Sequence, residues 1–307
     1  MNPRVDLVFK KIFGIEENKD LLISLINSIV SAEDQVLDVT LLNPYNLTRF
    51  KEEKLSILDI KAQGACGKKF NIEIQVTDEA DYDKRALYYW AKLYTEQLKV
   101  SGDYGDLDKV IGIHILNFVS ILDSKKYHNA FHITEKEAGF PYFDALELHT
   151  VELKKFTDHV GHERQQLAAK IQTSLDMWSA FLTRHELLNS KQLPQTLDKP
   201  EIKKALDILT VMHLSDIEQE AYDARLKWLK IEANSLKKAE EKGMTKGIAQ
   251  GLAQGLAQGL AQGREEGEKK KALEIVKKML DRGRSMQEIV EDTGLAEEEI
   301  IAQASIQ

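Results

Sequence analysis

The sequence predicts an α/β fold, a mixed sheet flanked by helices, followed by an all-helical C-terminal region. Three observations carry that prediction. Between residues 36 and 76 the apolar residues fall into short β-rich runs bounded by turn residues. Val110 to Phe118 is a nearly continuous apolar run, as a strand covered on both faces requires. After about Phe156 only helical periodicity remains.

The elements follow in order. Val5, Val8, Phe9, Ile12 and Phe13 recur at helical spacing, Gly14 ends that run, and Leu21 to Val30 resumes it, which predicts two opening helices. Val36–Leu42, Leu55–Ala62 and Phe70–Val76 read as strands, the last two joined by a Gly64-Ala65-Cys66-Gly67 hairpin loop. Asp81 stands as an N-cap for a helix running to about Val100, with Leu87, Trp90, Ala91, Tyr94 and Leu98 as its buried stripe. Tyr127–Ile133 and Leu146–Leu153 are weaker strand candidates. Two helices, three strands, a helix and further strands describe a mixed sheet between helical layers. These readings divide the chain into an α/β domain at 1–155, a helical region at 156–238, a repeat-bearing long helix at 239–284 and a small two-helix unit at 285–307.

From Gly243 to Gly267 glycine returns at every fourth position and GLAQ is repeated almost letter for letter. Ala, Leu and Gln favour helix, whereas each interior glycine costs about 1 kcal/mol relative to alanine. A glycine stripe of period four lets two backbones approach closely, so self-association into a homo-oligomer is one reading and a flexible linker the other. Short helix, Thr293-Gly294-Leu295 turn and short helix outline a helix-turn-helix. Its second helix carries Glu297, Glu298 and Glu299, the wrong sign for phosphates, which favours a protein contact over groove reading.

The formal charge is -8, so any contact with nucleic acid must be local. The basic clusters available are Arg49, Lys51 and Lys54, then Lys61, Lys68 and Lys69. Cys66 is the only cysteine, which excludes an intrachain disulfide and a cysteine-rich zinc site and fits a reducing cytoplasm. No apolar stretch reaches membrane-spanning length, so no membrane association is expected. His128 with His132, and His159 with His162, have metal-compatible spacing but no accompanying carboxylate pattern, and are read as structural or surface histidines.

The chemistry concentrates in Leu55–Val76. Asp59 follows Ile57 and Leu58, a carboxylate where a buried strand should stay apolar. Glu73 and Gln75 lie two apart, so a strand places both on one face, and a hairpin brings them beside Asp59. Two carboxylates and an amide make an all-oxygen site suited to Mg²⁺ or Mn²⁺ and not to zinc. Phosphodiester hydrolysis needs such a cation, to activate water, polarise the phosphorus centre and stabilise the leaving oxygen. An isolated D…ExQ is equally compatible with a solvated sheet face.

Ordered blocks add context: DLVFKKIFG from Asp6, LDIKA around Asp59, NIEIQ from Asn71, RALYYWAKLYTEQL from Arg85, GDYGDLDKVIGIHIL from Gly102 and TGLAEEEI near the C-terminus. Over most of residues 1–155 and, more loosely, the tail, the chain resembles the Rpn recombination-promoting nucleases, also described as PD-(D/E)XK transposase-like proteins. The resemblance implies a restriction-endonuclease-like core and Mg²⁺-dependent cleavage of DNA in recombination or mobile-element biology. It makes Asp59 and Glu73 metal ligands and the Ile74 carbonyl a further one. Gln75 stands where many relatives place a lysine, and glutamine supplies no positive charge; Lys61 or Lys10 would replace it. Asp6 is then an outlying acid of the site or a helix cap, Arg85 a phosphate grip or a surface ion pair, and Tyr94 and Gln97 site residues or core. The competing expectation is a catalytically silent DNA-binding or assembly module that keeps the fold.

Overall fold

The computed structural model of the chain describes residues 1–43, 60–79, 81–98, 102–159 and 163–304. They form two compact units, Met1–Lys230 and Ile231–Gln307. The first is built on a six-stranded sheet of β1 (Val39–Leu41), β2 (Ile60–Gly64), β3 (Lys69–Gln75), β4 (Val110–Leu116), β5 (His128–His132) and β6 (Leu146–Glu152). Their spatial order is β1-β2-β3-β4-β6-β5. β1–β2 and β2–β3 pair antiparallel, β3–β4 and β4–β6 are parallel, and β5 returns antiparallel along β6. The sheet is mixed, as the sequence predicts.

Side chains alternate across a strand, and the two faces divide cleanly. Ile60 and Ala62, Phe70, Ile72 and Ile74, and Ile111, Ile113 and Ile115 share one face and a single apolar core. That core is closed by α1 (Asp6–Phe13), α2 (Lys19–Ile29), α6 (Ser174–Arg184) and α7 (Pro200–Val211). Phe13 meets the Trp178 ring edge-on at 5.2 Å, so the helices beyond residue 155 complete the core begun by the first helix. Between them in the chain lie α4 (Leu153–His159) and α5 (Arg164–Lys170). The opposite face carries Asn71, Glu73, Gln75, Gly112, His114 and Leu116, and α3 (Tyr82–Thr95) packs on it through Tyr82 and Ala86. All seven residues of β4 are buried, the physical basis of its unbroken apolar run.

Two sequence expectations are corrected. The first strand is shorter than Val36–Leu42, because the Asn27 amide accepts from Val36 N at 2.8 Å and donates to Val36 O at 2.7 Å, leaving Val36 no ladder to join. The inward stripe of α3 is Tyr82, Ala86 and Leu93, whereas Leu87 is half exposed. Apolar size misled there: the helix docks through the polar-tipped Tyr82 ring, and Trp90 serves by donating its indole N–H to Val110 O at 2.8 Å. The Gly64–Gly67 turn forms as expected, with Gly67 at φ 87°, a conformation suited to glycine.

A long helix, α8 (Asp216–Asp281), starts in the first unit and carries the glycine repeat as continuous helix, with Leu252, Leu256 and Leu260 exposed. In the second unit Val276 packs with Ile289 of α9 (Met286–Thr293) and Ile300 of α10 (Glu297–Ala304). Ser285 and Glu288 cap α9 reciprocally, and Gly294 ends it at φ 67°.

Candidate active site

The site face of β3 is set by its register. Glu73 lies opposite His114, Asn71 opposite Gly112, and Lys61 of β2 opposite Asn71, so these side chains share one surface. Glu73 and Gln75 are therefore brought together as the period of two requires, with Lys61 alongside on the neighbouring strand. Asp59 lies outside the described residues, as do Arg49, Lys51 and Lys54; the residue that follows Asp59, Ile60, pairs with Ile72 immediately before Glu73.

Glu73 is held in an unusual state. Among the described residues its Oε2 is buried without a hydrogen-bond partner, and Asn71 Oδ1 on the same face is likewise unpartnered. His114 Nδ1 lies 3.6 Å from Glu73 Oε2. An orphaned buried oxygen costs about 1–3 kcal/mol, which a hard cation would offset, and the donor set fits Mg²⁺ or Mn²⁺. Among the described residues no three His, Cys, Asp or Glu side chains form a metal-holding group; the sequence's further carboxylate, Asp59, falls outside them.

Gln75 is committed within the chain. Its Nε2 donates to Thr77 O at 3.1 Å and to Glu79 Oε1 at 2.9 Å. Glu79 Oε2 in turn accepts from Arg85 Nη1 at 2.5 Å, and the Arg85 guanidinium lies 5.3 Å over the Tyr82 ring. Of the two readings of Arg85, the ion pair is the one observed. Behind this network Tyr82 Oη and His114 Nδ1 are hydrogen-bonded at 2.7 Å. Burial first, and then the Glu73 charge, hold the Tyr82 phenol well above the ordinary tyrosine value.

Tyr94 stacks on Trp90 at 5.3 Å, and the Gln97 amide donates to Asp108 O and accepts from Asp108 N, so both brace the loop leading into β4. Asp6 is the first residue of α1, not its N-cap, which is Val5; its Oδ1 accepts from Leu7 N at 2.9 Å, and Arg225 Nε lies 3.8 Å from Oδ2. Burial raises the Asp6 carboxyl and Arg225 opposes. Lys10 is buried on the core face beside Ile60: a methyl added at Gly14 would stand 2.9 Å from Lys10 Cγ and 3.4 Å from Ile60 Cγ1. The Ile74 side chain is buried in the same core. His128 and His132 form no pair; His128 Nε2 bonds His149 Nδ1 at 3.0 Å, and His149 Nε2 bonds Glu147 Oε1 at 2.6 Å.

Sequence reasoning missed His114, Tyr82, Glu79 and Asn71. His114 carried a usable signal, since it interrupts an apolar strand as Asp59 does. Tyr82 and Glu79 carried none, because their roles depend on how α3 docks.

A mixed sheet with helices on both faces, bearing on the inner strand of a hairpin a half-buried glutamate whose Oε2 has no hydrogen-bond partner among the described residues, is the frame of a restriction-endonuclease-like α/β protein. The family model described as PD-(D/E)XK nuclease family transposase matches residues 3–239, and the chain belongs to that family. Membership gives it a nuclease or mobile-element role in general terms. No curated protein and no solved structure matches it. Among the described residues no helix is long and apolar enough to cross a membrane.

Proposed function

We propose that the chain is a Mg²⁺-dependent DNA endonuclease that hydrolyses phosphodiester bonds, Mn²⁺ substituting. The observation that carries the reading is the buried Glu73 Oε2, without a hydrogen-bond partner among the described residues, on the sheet face of a chain that belongs to a nuclease family. Glu73, with Asp59 and the Ile74 carbonyl, would hold the cation, which when bound supplies Lewis acidity at the phosphodiester. Lys61, on the same face, supplies the positive charge that Gln75 lacks. Gln75 keeps Glu79 turned inward and orders the strand end beside Glu73. The net charge of -8 confines DNA contact to this local surface. Self-association through α8 and a cytoplasmic setting belong to the same reading.

The commitment of the Gln75 amide to Thr77 and Glu79 favours a second reading, a silent DNA-binding module. Plasmid nicking separates the two. Purified protein with Mg²⁺ at low salt is expected to nick supercoiled DNA, and Asp59→Ala, Glu73→Gln or a chelator to abolish it. A folded protein that binds DNA but cuts none over a range of Mg²⁺ and Mn²⁺ would establish the silent module instead.

A further inference from the structure

A carboxylate that holds a cation must itself be held, because free rotation of the Glu73 side chain spreads its oxygens over several positions. Its strand neighbours on the same face do not hold it: the Gln75 amide nitrogen is spent on Thr77 and Glu79, and Asn71 Oδ1 accepts from nothing. Among the described residues His114 Nδ1 stands 3.6 Å from Glu73 Oε2, and Tyr82, hydrogen-bonded to that imidazole, stands close enough for the Glu73 charge to act on its phenol. Both are almost fully buried, at 3% and 4% exposure.

We infer that Tyr82 and His114 are positioning residues for Glu73, a hydrogen-bonded pair that fixes the orientation in which this carboxylate holds its divalent cation. The inference rests on the reading of Glu73 as a metal ligand.

The geometry leaves the imidazole little freedom. Its ring stands edge-on to Tyr82, 86° between planes at 5.7 Å. Its Nε2 lies 3.1 Å from where a Cβ on Gly112 would stand, a position also 2.6 Å from Leu148 Cδ2. Gly112 thus makes the slot that the ring occupies. Among the described residues Nε2 has no partner, so the polar contacts of the ring pass through Nδ1. A hydrogen on Nδ1 donates to Tyr82 Oη and sets a positive edge toward Glu73; a bare Nδ1 would set a lone pair 3.6 Å from a carboxylate oxygen. The first arrangement is the lower in energy, and it frees the phenolic hydrogen to turn to the carboxylate.

The test is Mn²⁺ affinity by calorimetry on the full-length protein without DNA, then cleavage kinetics. Tyr82→Phe preserves shape and removes only the hydroxyl. His114→Asn keeps an N–H near the Nδ1 position, His114→Gln places its amide toward Nε2, and His114→Leu keeps bulk alone. Tyr82→Phe, His114→Gln and His114→Leu are expected to weaken Mn²⁺ binding by about tenfold or more, as loss of a ligand's supporting partner does. His114→Asn should stay within about threefold of wild type by the same measure. In cleavage kcat should fall with KM for DNA unchanged. Wild-type Mn²⁺ affinity in folded Tyr82→Phe, or His114→Leu outperforming His114→Asn, would reduce the pair to packing and overturn the inference. Wild-type protein that binds Mn²⁺ no better than Glu73→Gln would instead remove the metal reading, and this inference with it.

Discussion

Gly112 shows how much of this site depends on a side chain that is not there. A methyl at that position would stand 2.6 Å from Leu148 Cδ2 and 3.1 Å from His114 Nε2, inside a strand whose residues are all buried. Leu148 is only partly buried and can shift its side chain, but the His114 ring is buried and cannot retreat into solvent, so Gly112→Ala should cost about 1–3 kcal/mol as an overpacked core does. A lower urea midpoint at unchanged slope is the expected result; an unchanged midpoint would mean that the imidazole is free to move. Only part of the site was legible before folding. Glu73 and Gln75 were, because a strand's period of two needs no tertiary information. Lys61 was named through the family resemblance, and the β2–β3 register puts it on their face. Glu79 and Tyr82 were hidden because α3 docks by a face that hydropathy does not mark, and Arg85 was ambiguous until its Glu79 partner was placed at 2.5 Å.

Among the elements, β5 forms one edge of the sheet, with β1 at the other, and its attachment is titratable. His128 hydrogen-bonds His149 on β6, and burial first, then the His149 charge, push the His128 imidazole down from 6.5 to about 4, with Glu147 pulling the other way and Lys126 adding to the depression. Between those values the unfolded chain binds a proton that the folded one refuses. Stability is therefore present above pH 6.5 and is lost as pH falls toward 4. Allowing for partial exposure, the loss from pH 7 to pH 5 should be about 1–2 kcal/mol. Urea unfolding at the two pH values should reveal it, and His128→Gln should flatten the difference; a variant with the full pH slope would assign it to other groups. Element by element, the sheet was readable where burial is one-sided or total, as in β3 and β4. It was weak at β5, whose His-Asn-Ala-Phe-His sequence alternates in no useful way because the strand is largely exposed. β1 was overextended because a side chain, Asn27, satisfies the Val36 backbone.

At the scale of the molecule the division of labour along the chain is open to truncation. Phe13 of α1 and Phe70 of β3 share a core with Trp178, Phe181 and Leu206, so a chain ending at 155 would expose that core and should not fold cooperatively. One ending at 239, where the family match also ends, should unfold in a single thermal transition, and a cooperative transition in the shorter chain would refute this. The remaining segment poses the sharper question. Seven glycines from Gly243 to Gly267 lie in α8, a helix 66 residues long, each with open space where a Cβ would stand. Relative to alanine they cost about 7 kcal/mol together, and the exposed Leu252, Leu256 and Leu260 beside them gain nothing from solvent. Close packing of two copies along the glycine stripe offsets both costs; a solvated linker offsets neither. Changing Gly251, Gly255 and Gly259 together to alanine in the full-length protein separates these accounts. Alanine raises intrinsic helicity in either case, but it also thickens the stripe by three methyls on each copy. If helices meet there, circular dichroism should show more helix per chain while light scattering shows a smaller assembly. Helicity that rises with the mass unchanged would mean that the glycines touch only water.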